Sequence, residues 1–452
     1  MELNRRHLLG LGAGALAASA LTACSTTASP PTAASSASVI SEDERTKALN
    51  TPTELTFWTW VPNIDTKEVA AFMKAYPNIK VKVENVGQGA AHYQKLRTAL
   101  KAGEGGPDVA QMEFQYIPSY VVTKSLIDLT PYGAASLQPL FVDWCWKQVV
   151  MANGIYAIPQ DSGPLGNVYR KDILDSAGIT TPPVTWDDYY TAAKAVRTKT
   201  KSYISDFASG QGGMWVALLW QAGAKPFTWD GGEKVGINLS SPEATKVMQY
   251  WQKLIQEDLV STDADFNDAW YQGLANGKYA GWITAAWGPV FLQGTAAKTT
   301  GLWRASKAPQ WSSTANAAGN WGGSTSALIK GTKNPIAAYE LAKYINSNAA
   351  TALQFANEQF FFPVTKSTIA DPKWSTQTSE FFGGQKVNEL FGGIADTVDP
   401  NFQWVPFMEY VYSSAQDTMT PAITNKGDLV VATKAWETAL KTYATQQGFT
   451  LA

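Results

Sequence analysis

Aromatic side chains set among small and polar neighbours are the residues of this chain best suited to chemistry. Trp287 lies in Thr284-Ala285-Ala286-Trp287-Gly288-Pro289, and Trp321 in Gly319-Asn320-Trp321-Gly322-Gly323-Ser324. Phe402 and Trp404 follow Pro400-Asn401. Glycines such as Gly322 and Gly323 let a backbone approach a ligand closely. An indole offers a flat apolar face and keeps one N–H donor. Carboxylates and amides accept from, or donate to, neighbouring hydroxyls at two points. Together these groups suit a neutral, polyhydroxylated ligand. A phosphate or carboxylate ligand would call for clustered arginines, and the sequence has no such cluster.

Other chemistries are excluded by inventory. The chain has two His and two Cys. His7 and Cys24 fall in or at the end of an apparent leader, which leaves His92 and Cys145, too few for a four-ligand Cys/His zinc site. No P-loop, His-Glu-x-x-His or Gly-x-Ser-x-Gly motif occurs. Asp263-x-Asp265-x-Asn267 begins like a calcium loop, but Asp268 stands where Gly is needed and Leu274 where Glu is needed. No cofactor or metal is expected. Lys+Arg 36 against Asp+Glu 38 argues against a nucleic-acid partner. His92 is expected as an exposed helix residue, and Cys145 as a buried, inert thiol.

The elements that must position the aromatics read as α/β. Leu55 to Trp60 is a β-branched and aromatic run between Pro52 and Pro62, hence a strand. Val69, Phe72, Met73 and Tyr76 mark a helix face. Ile79, Val81 and Val83 alternate with charges, as in a second strand. A helix over 91–101 and a strand over 108–112 complete β-α-β-α-β, the order of a parallel sheet with helices on both faces. Thr185 and Asp188 form a capping box for a helix to Arg197. Further helices start at Pro242 and Pro335, and the last covers 429–446. Trp220, Trp251 and Trp436 fall in helical patterns and are expected in the core. Open sheets of this kind bind ligands beyond the carboxyl ends of their strands. That directs attention to Trp60, to Glu113, Gln115 and Tyr116, and to Asp161, beside Trp287, Trp321, Phe402 and Trp404.

The first 24 residues read as an export signal. Arg5 and Arg6 precede an apolar run from Leu8 to Ala20, and Leu21-Thr22-Ala23-Cys24 resembles a lipobox whose Cys is lipidated. The twin-arginine and general routes both stay open. Residues 25–50, rich in Ser, Thr, Ala and Pro at their start, are expected to be a flexible tether.

Several motifs, in order, resemble the extracellular solute-binding protein family 1, the sugar-binding lipoproteins of bacterial ABC importers. They are Gly106-Pro107-Asp108-Val109, Tyr156-Ala157-Ile158-Pro159 followed by Val168-Tyr169-Arg170-Lys171-Asp172, Thr185-Trp186-Asp187-Asp188, and Gly273 to Gly281 leading to Trp287. Gly322-Gly323 before Ala327-Leu328-Ile329, and Phe362-Pro363-Val364, complete the set. Arg170 stands where the family usually has Asn. The resemblance implies an α/β, two-lobed periplasmic-binding-protein-like fold, each lobe a mostly parallel sheet flanked by helices, with the ligand cleft between lobes. Lobe 1 would be 50–160 and 318–366, lobe 2 161–317 and 367–452. It implies a monomer that closes on a carbohydrate, a disaccharide or glycoside, and delivers it to permease subunits while anchored at Cys24 outside the cytoplasmic membrane. The rival readings are an exported glycosidase or lyase, which shares the aromatics and the leader, and a structural lipoprotein.

Overall fold

A computed structural model describes residues 39–359 and 361–452. The expected leader and Cys24 lie outside the described residues. Two sheets organise the rest. The first has the order Ile79–Glu84, Thr53–Trp58, Val109–Glu113, Ser324–Leu328, Ile158–Pro159. Its first three strands are mutually parallel, as β-α-β-α-β requires. Ser324–Leu328 returns antiparallel to both its neighbours. The second sheet has Leu165–Arg170 at its centre, between Gly281–Ala285 and Trp303–Lys307.

Both pairings of that central strand are antiparallel, which corrects the expectation of a mostly parallel second sheet. Leu165–Arg170 and Gly281–Ala285 are buried at every position. Strands covered on both faces carry no alternation, and connectivity rather than residue type sets their direction. The chain crosses between the sheets three times. It does so after Pro159, between Lys307 and Ser324, and between the Pro335–Ser347 helix on the first sheet and the Val387–Ala395 helix on the second.

Local signals behave as read at several places. Thr185 and Asp188 make a reciprocal capping box ahead of the Trp186–Thr200 helix. Asp428 caps the final helix, Leu429–Gln446. Trp220, Trp251 and Trp436 are buried, and so is Cys145, whose thiol burial pushes well above its ordinary range.

Two further expectations fail. The tether does not run to residue 50, because Glu42–Asn50 is a helix started by a Ser41/Glu44 capping box. Arg45 on that helix pairs with the buried carboxylate of Glu340 and donates to the Tyr132 carbonyl at 2.9 Å. His92 is not exposed. It lies on the buried face of the Ala90–Ala102 helix with Tyr93 and Leu96. The apolar stripe of that helix continues through the imidazole, which meets the edges or faces of Trp58, Trp60 and Tyr93 at 6.4, 5.1 and 5.2 Å.

Candidate ligand-binding site

The carboxyl ends of the first and third strands form one wall. Thr53–Trp58 ends just before Trp60, which is half-buried and rests edge-on against His92. Trp58 is buried and donates from Nε1 to Glu84 at 2.9 Å, so Trp60 is the more open of the two indoles. Val109–Glu113 runs into a short 3₁₀ turn, Phe114–Tyr116. Glu113 accepts from the Tyr93 hydroxyl at 3.0 Å and from Gln115 Nε2 at 3.2 Å. Burial pushes this carboxyl above the usual range. The Tyr116 ring lies 4.2 Å from that of Tyr93.

The crossings supply the floor. Asp161 is 5% exposed and takes the Ser324 N–H at 2.8 Å on Oδ1. The Ser324 hydroxyl donates to the same oxygen. Burial lifts the Asp161 carboxyl to about 7 against these two bonds. Gly322 and Gly323 precede Ser324 with φ of 79° and 94°. A Cβ at Gly323 would stand 2.9 Å from the Asp161 carbonyl oxygen, so glycine is required there on both counts.

The opposite wall is built around Trp287, which follows Gly281–Ala285 of the second sheet, and Trp321, on the crossing between Lys307 and Ser324. Trp287 and Trp321 meet edge to face at 4.9 Å, and Trp287 Nε1 donates to the Trp321 carbonyl at 2.9 Å. The Trp287 indole therefore offers a face rather than its N–H. A Cβ at Gly213, on the Gly212–Gln221 helix, would stand 2.8 Å from Trp321 Nε1, so the missing side chain leaves room for that ring. Phe266, 39% exposed and held at φ 56°, covers both indoles at 6.0 and 5.9 Å. A bulky residue at positive φ is strained. Beside it Asp265 accepts from Gln211 at 2.8 Å, and burial raises its carboxyl to about 6.

The two walls touch at the Met408–Thr424 helix. Tyr412 presents its ring to Tyr116 at 6.5 Å, and Glu409 pairs with Arg97 of the Ala90–Ala102 helix. Glu113, Asp161 and Asp265 are held by a phenol, amides and a serine rather than by guanidinium groups. Such acceptors favour hydroxyl donors over an anion. Sequence reasoning missed Phe266, Gln211 and Tyr412. Phe266 sits inside the tract read only as an imperfect calcium loop.

Phe402 and Trp404 lie elsewhere. Both are buried, Phe402 stacked at 4.1 Å on Trp220, and Gln148 bonds to the Phe402 carbonyl and to Trp404 Nε1. They join the segment after Asp143–Lys147 to the Gly212–Gln221 helix and contact neither Trp287 nor Trp321. A cavity of about 440 Å³ lies beside the Trp287 segment, lined by Ala286, Pro289, Phe361, Phe362, Trp374 and Phe391, and it includes none of the expected ligand residues. Among the described residues no group of three or more His, Cys, Asp or Glu is arranged to hold a metal.

Residues 61–352 match the family model described as bacterial extracellular solute-binding protein. The chain belongs to this family of bacterial extracellular solute-binding proteins. A lactose-binding protein of Rhizobium radiobacter is 25% identical over 395 residues, 82% of this chain and 87% of that one. An arabinooligosaccharide-binding protein of Bacillus subtilis is 26% identical over 222 residues, 47% of this chain and 50% of that one. Among solved structures, the ABC transporter associated binding protein from B. animalis subsp. lactis Bl-04, in complex with β-1,6-galactobiose, superposes with a TM-score of 0.78. It is 31% identical, and the match covers 89% of this chain and 100% of that one. The two-lobed α/β fold of this solute-binding protein follows. No helix among the described residues is long and apolar enough to cross a membrane.

Proposed function

We propose that this solute-binding protein captures a neutral disaccharide or short oligosaccharide and hands it to the permease subunits of an ABC importer. The observation that carries the reading is the pairing of two unlike walls. Trp60, Glu113, Gln115 and Tyr116 stand on one, and Trp287, Trp321, Phe266 and Tyr412 on the other. Aromatic faces take the C–H surface of a sugar, and amides and carboxylates take its hydroxyls. The names of the relatives, which bind lactose, arabinooligosaccharides or β-1,6-galactobiose, agree with that chemistry.

Closure is the working step. A sugar that touches both walls favours the closed state by the contacts it gains there and by nothing else. The lobes are 50–160 with 318–366, and 161–317 with 367–452. The three crossings between the sheets support those boundaries. Asp161 belongs to the floor, where it presents its carboxylate with Gly322 and Gly323 behind it. Phe402 and Trp404 brace the lobes against each other. The protein acts as a monomer, held outside the cytoplasmic membrane by a lipid on Cys24, and it performs no chemistry on the sugar.

A thermal-shift screen with lactose, β-1,6-galactobiose and maltose tests the reading. At about 100 times its Kd a true ligand stabilises by about 2.7 kcal/mol. Chromatography after incubation should return the bound sugar intact. Release of monosaccharide would make the protein an enzyme, and no shift with any neutral sugar would remove the assignment.

A further inference from the structure

A chain of buried polar groups runs from the backbone of Trp60 to Asp161. Gln111 sits mid-strand in the first sheet and is fully buried. Its Oε1 accepts from the Trp60 N–H at 3.0 Å and from the Thr59 hydroxyl at 2.7 Å. Its Nε2 donates to the Ser324 hydroxyl at 2.9 Å. Thr59 Oγ1 in turn accepts the Val61 N–H at 3.2 Å. The Ser324 hydroxyl lies within donating reach of the Asp161 carboxylate and, at 3.1 Å, of Gln160 Oε1, both on the crossing at Pro159. Every donor in this series faces one way, toward that crossing.

These residues come from four places: the loop after the first strand, the third strand, the first residue of Ser324–Leu328, and the crossing after Pro159. Two of the three crossings between the lobes therefore meet at Ser324 and Asp161. Hydrogen bonds aligned head to tail polarise one another, and in a dry core none can be broken without stranding its neighbour. A backbone shift at Trp60 cannot be absorbed locally, because Gln111 has no second acceptor for its Nε2 among the bonds it makes.

We propose that Gln111 and Ser324 are positioning residues that tie the Trp60 loop to the hinge crossings, so that a ligand pressing on Trp60 biases the lobes through this relay. The consequence for capture rests on Trp60 lining the ligand cleft. The relay itself does not.

Hydrogen exchange of the sugar-free, full-length protein tests it, followed by mass spectrometry in peptides covering residues 59–61. Ser324→Ala touches none of those amides. It should speed their exchange by about fivefold or more, the loss of roughly one buried hydrogen bond. Asp161→Leu, of similar volume but without the acceptor for the Ser324 hydroxyl, should do so too and serves if Ser324→Ala folds poorly. By reciprocity, Thr59→Val should speed exchange at Ser324. Ser326→Ala is the control. It lies on the same strand, equally buried, and its hydroxyl has no partner, so exchange at 59–61 should stay at the wild-type rate. Unchanged exchange at 59–61 in both Ser324→Ala and Asp161→Leu would overturn the relay. Equal acceleration by Ser326→Ala would also overturn it, since the effect would then be general loosening. Lactose binding is measured alongside. If the wild type ignores lactose and its relatives, the capture reading fails while the exchange result still judges the relay.

Discussion

His92 carries the strongest protonation signal at the residue scale. Burial among Trp58, Trp60 and Tyr93 pushes the imidazole from 6.5 down to about 4, against an opposing pull from the Gln111 backbone. Above pH 6.5 the ring is neutral in both folded and unfolded chains. Between 6.5 and 4 only the unfolded chain takes up the proton, so stability is lost as pH falls through that window. His92→Phe should remove about 3 kcal/mol of this acid sensitivity, read as a flatter plot of urea midpoint against pH. Parallel plots for wild type and variant would refute the assignment. Asp161 acts with the opposite sign. Its carboxyl is raised from 3.8 to about 7, so the folded chain keeps a proton that the unfolded one releases, and this contribution is lost as pH rises toward 7. Asp161→Asn should therefore help most near neutrality. Trp287→Ala should weaken sugar binding by roughly 10- to 150-fold, from about 1.5–3 kcal/mol of lost apolar contact, and calorimetric titration measures it. None of these environments could be read from the chain. An imidazole inside a helix stripe looks the same in sequence whether solvent or two indoles lie above it.

At the scale of elements, the legible parts were those coded locally. The Thr185/Asp188 box, the proline starts at Pro242 and Pro335 and the final helix over 429–446 depend on neighbours a few residues apart. The antiparallel second sheet was not legible, because Leu165–Arg170 is covered on both faces and meets partners more than 100 residues away. The Glu42–Asn50 helix could have been found. Ser41-x-x-Glu44 is a capping signature, masked by the low-complexity tract before it. Ser41→Ala should cost about 0.5–2 kcal/mol of local stability. Peptides over 42–50 would then exchange faster, and an unchanged rate would mean that Arg45 alone holds the helix. Gly213→Val should push a branched side chain into the space of Trp321, 2.8 Å from a Cβ there, and weaken sugar binding while leaving the fold intact. Full retention of affinity would show that Trp321 has room to move.

The whole molecule is a pair of lobes joined by three strands of chain and clasped at one edge. Arg97 and Glu409 reach across that edge, both partly exposed. An exposed pair of this kind is worth only about 0.2–1 kcal/mol and is screened by salt. Glu409→Gln should therefore shift the lobes modestly toward the open form, with a larger radius of gyration by X-ray scattering at low salt and none of that difference at high salt. The most direct test of the account is a crystal structure with lactose or β-1,6-galactobiose bound. The sugar should lie between Trp60 and Tyr116 on one side and Trp321, Phe266 and Tyr412 on the other, within hydrogen-bonding reach of Glu113 or Asp161. A sugar found instead in the cavity walled by Phe362, Trp374 and Phe391, with those rings bare, would contradict it.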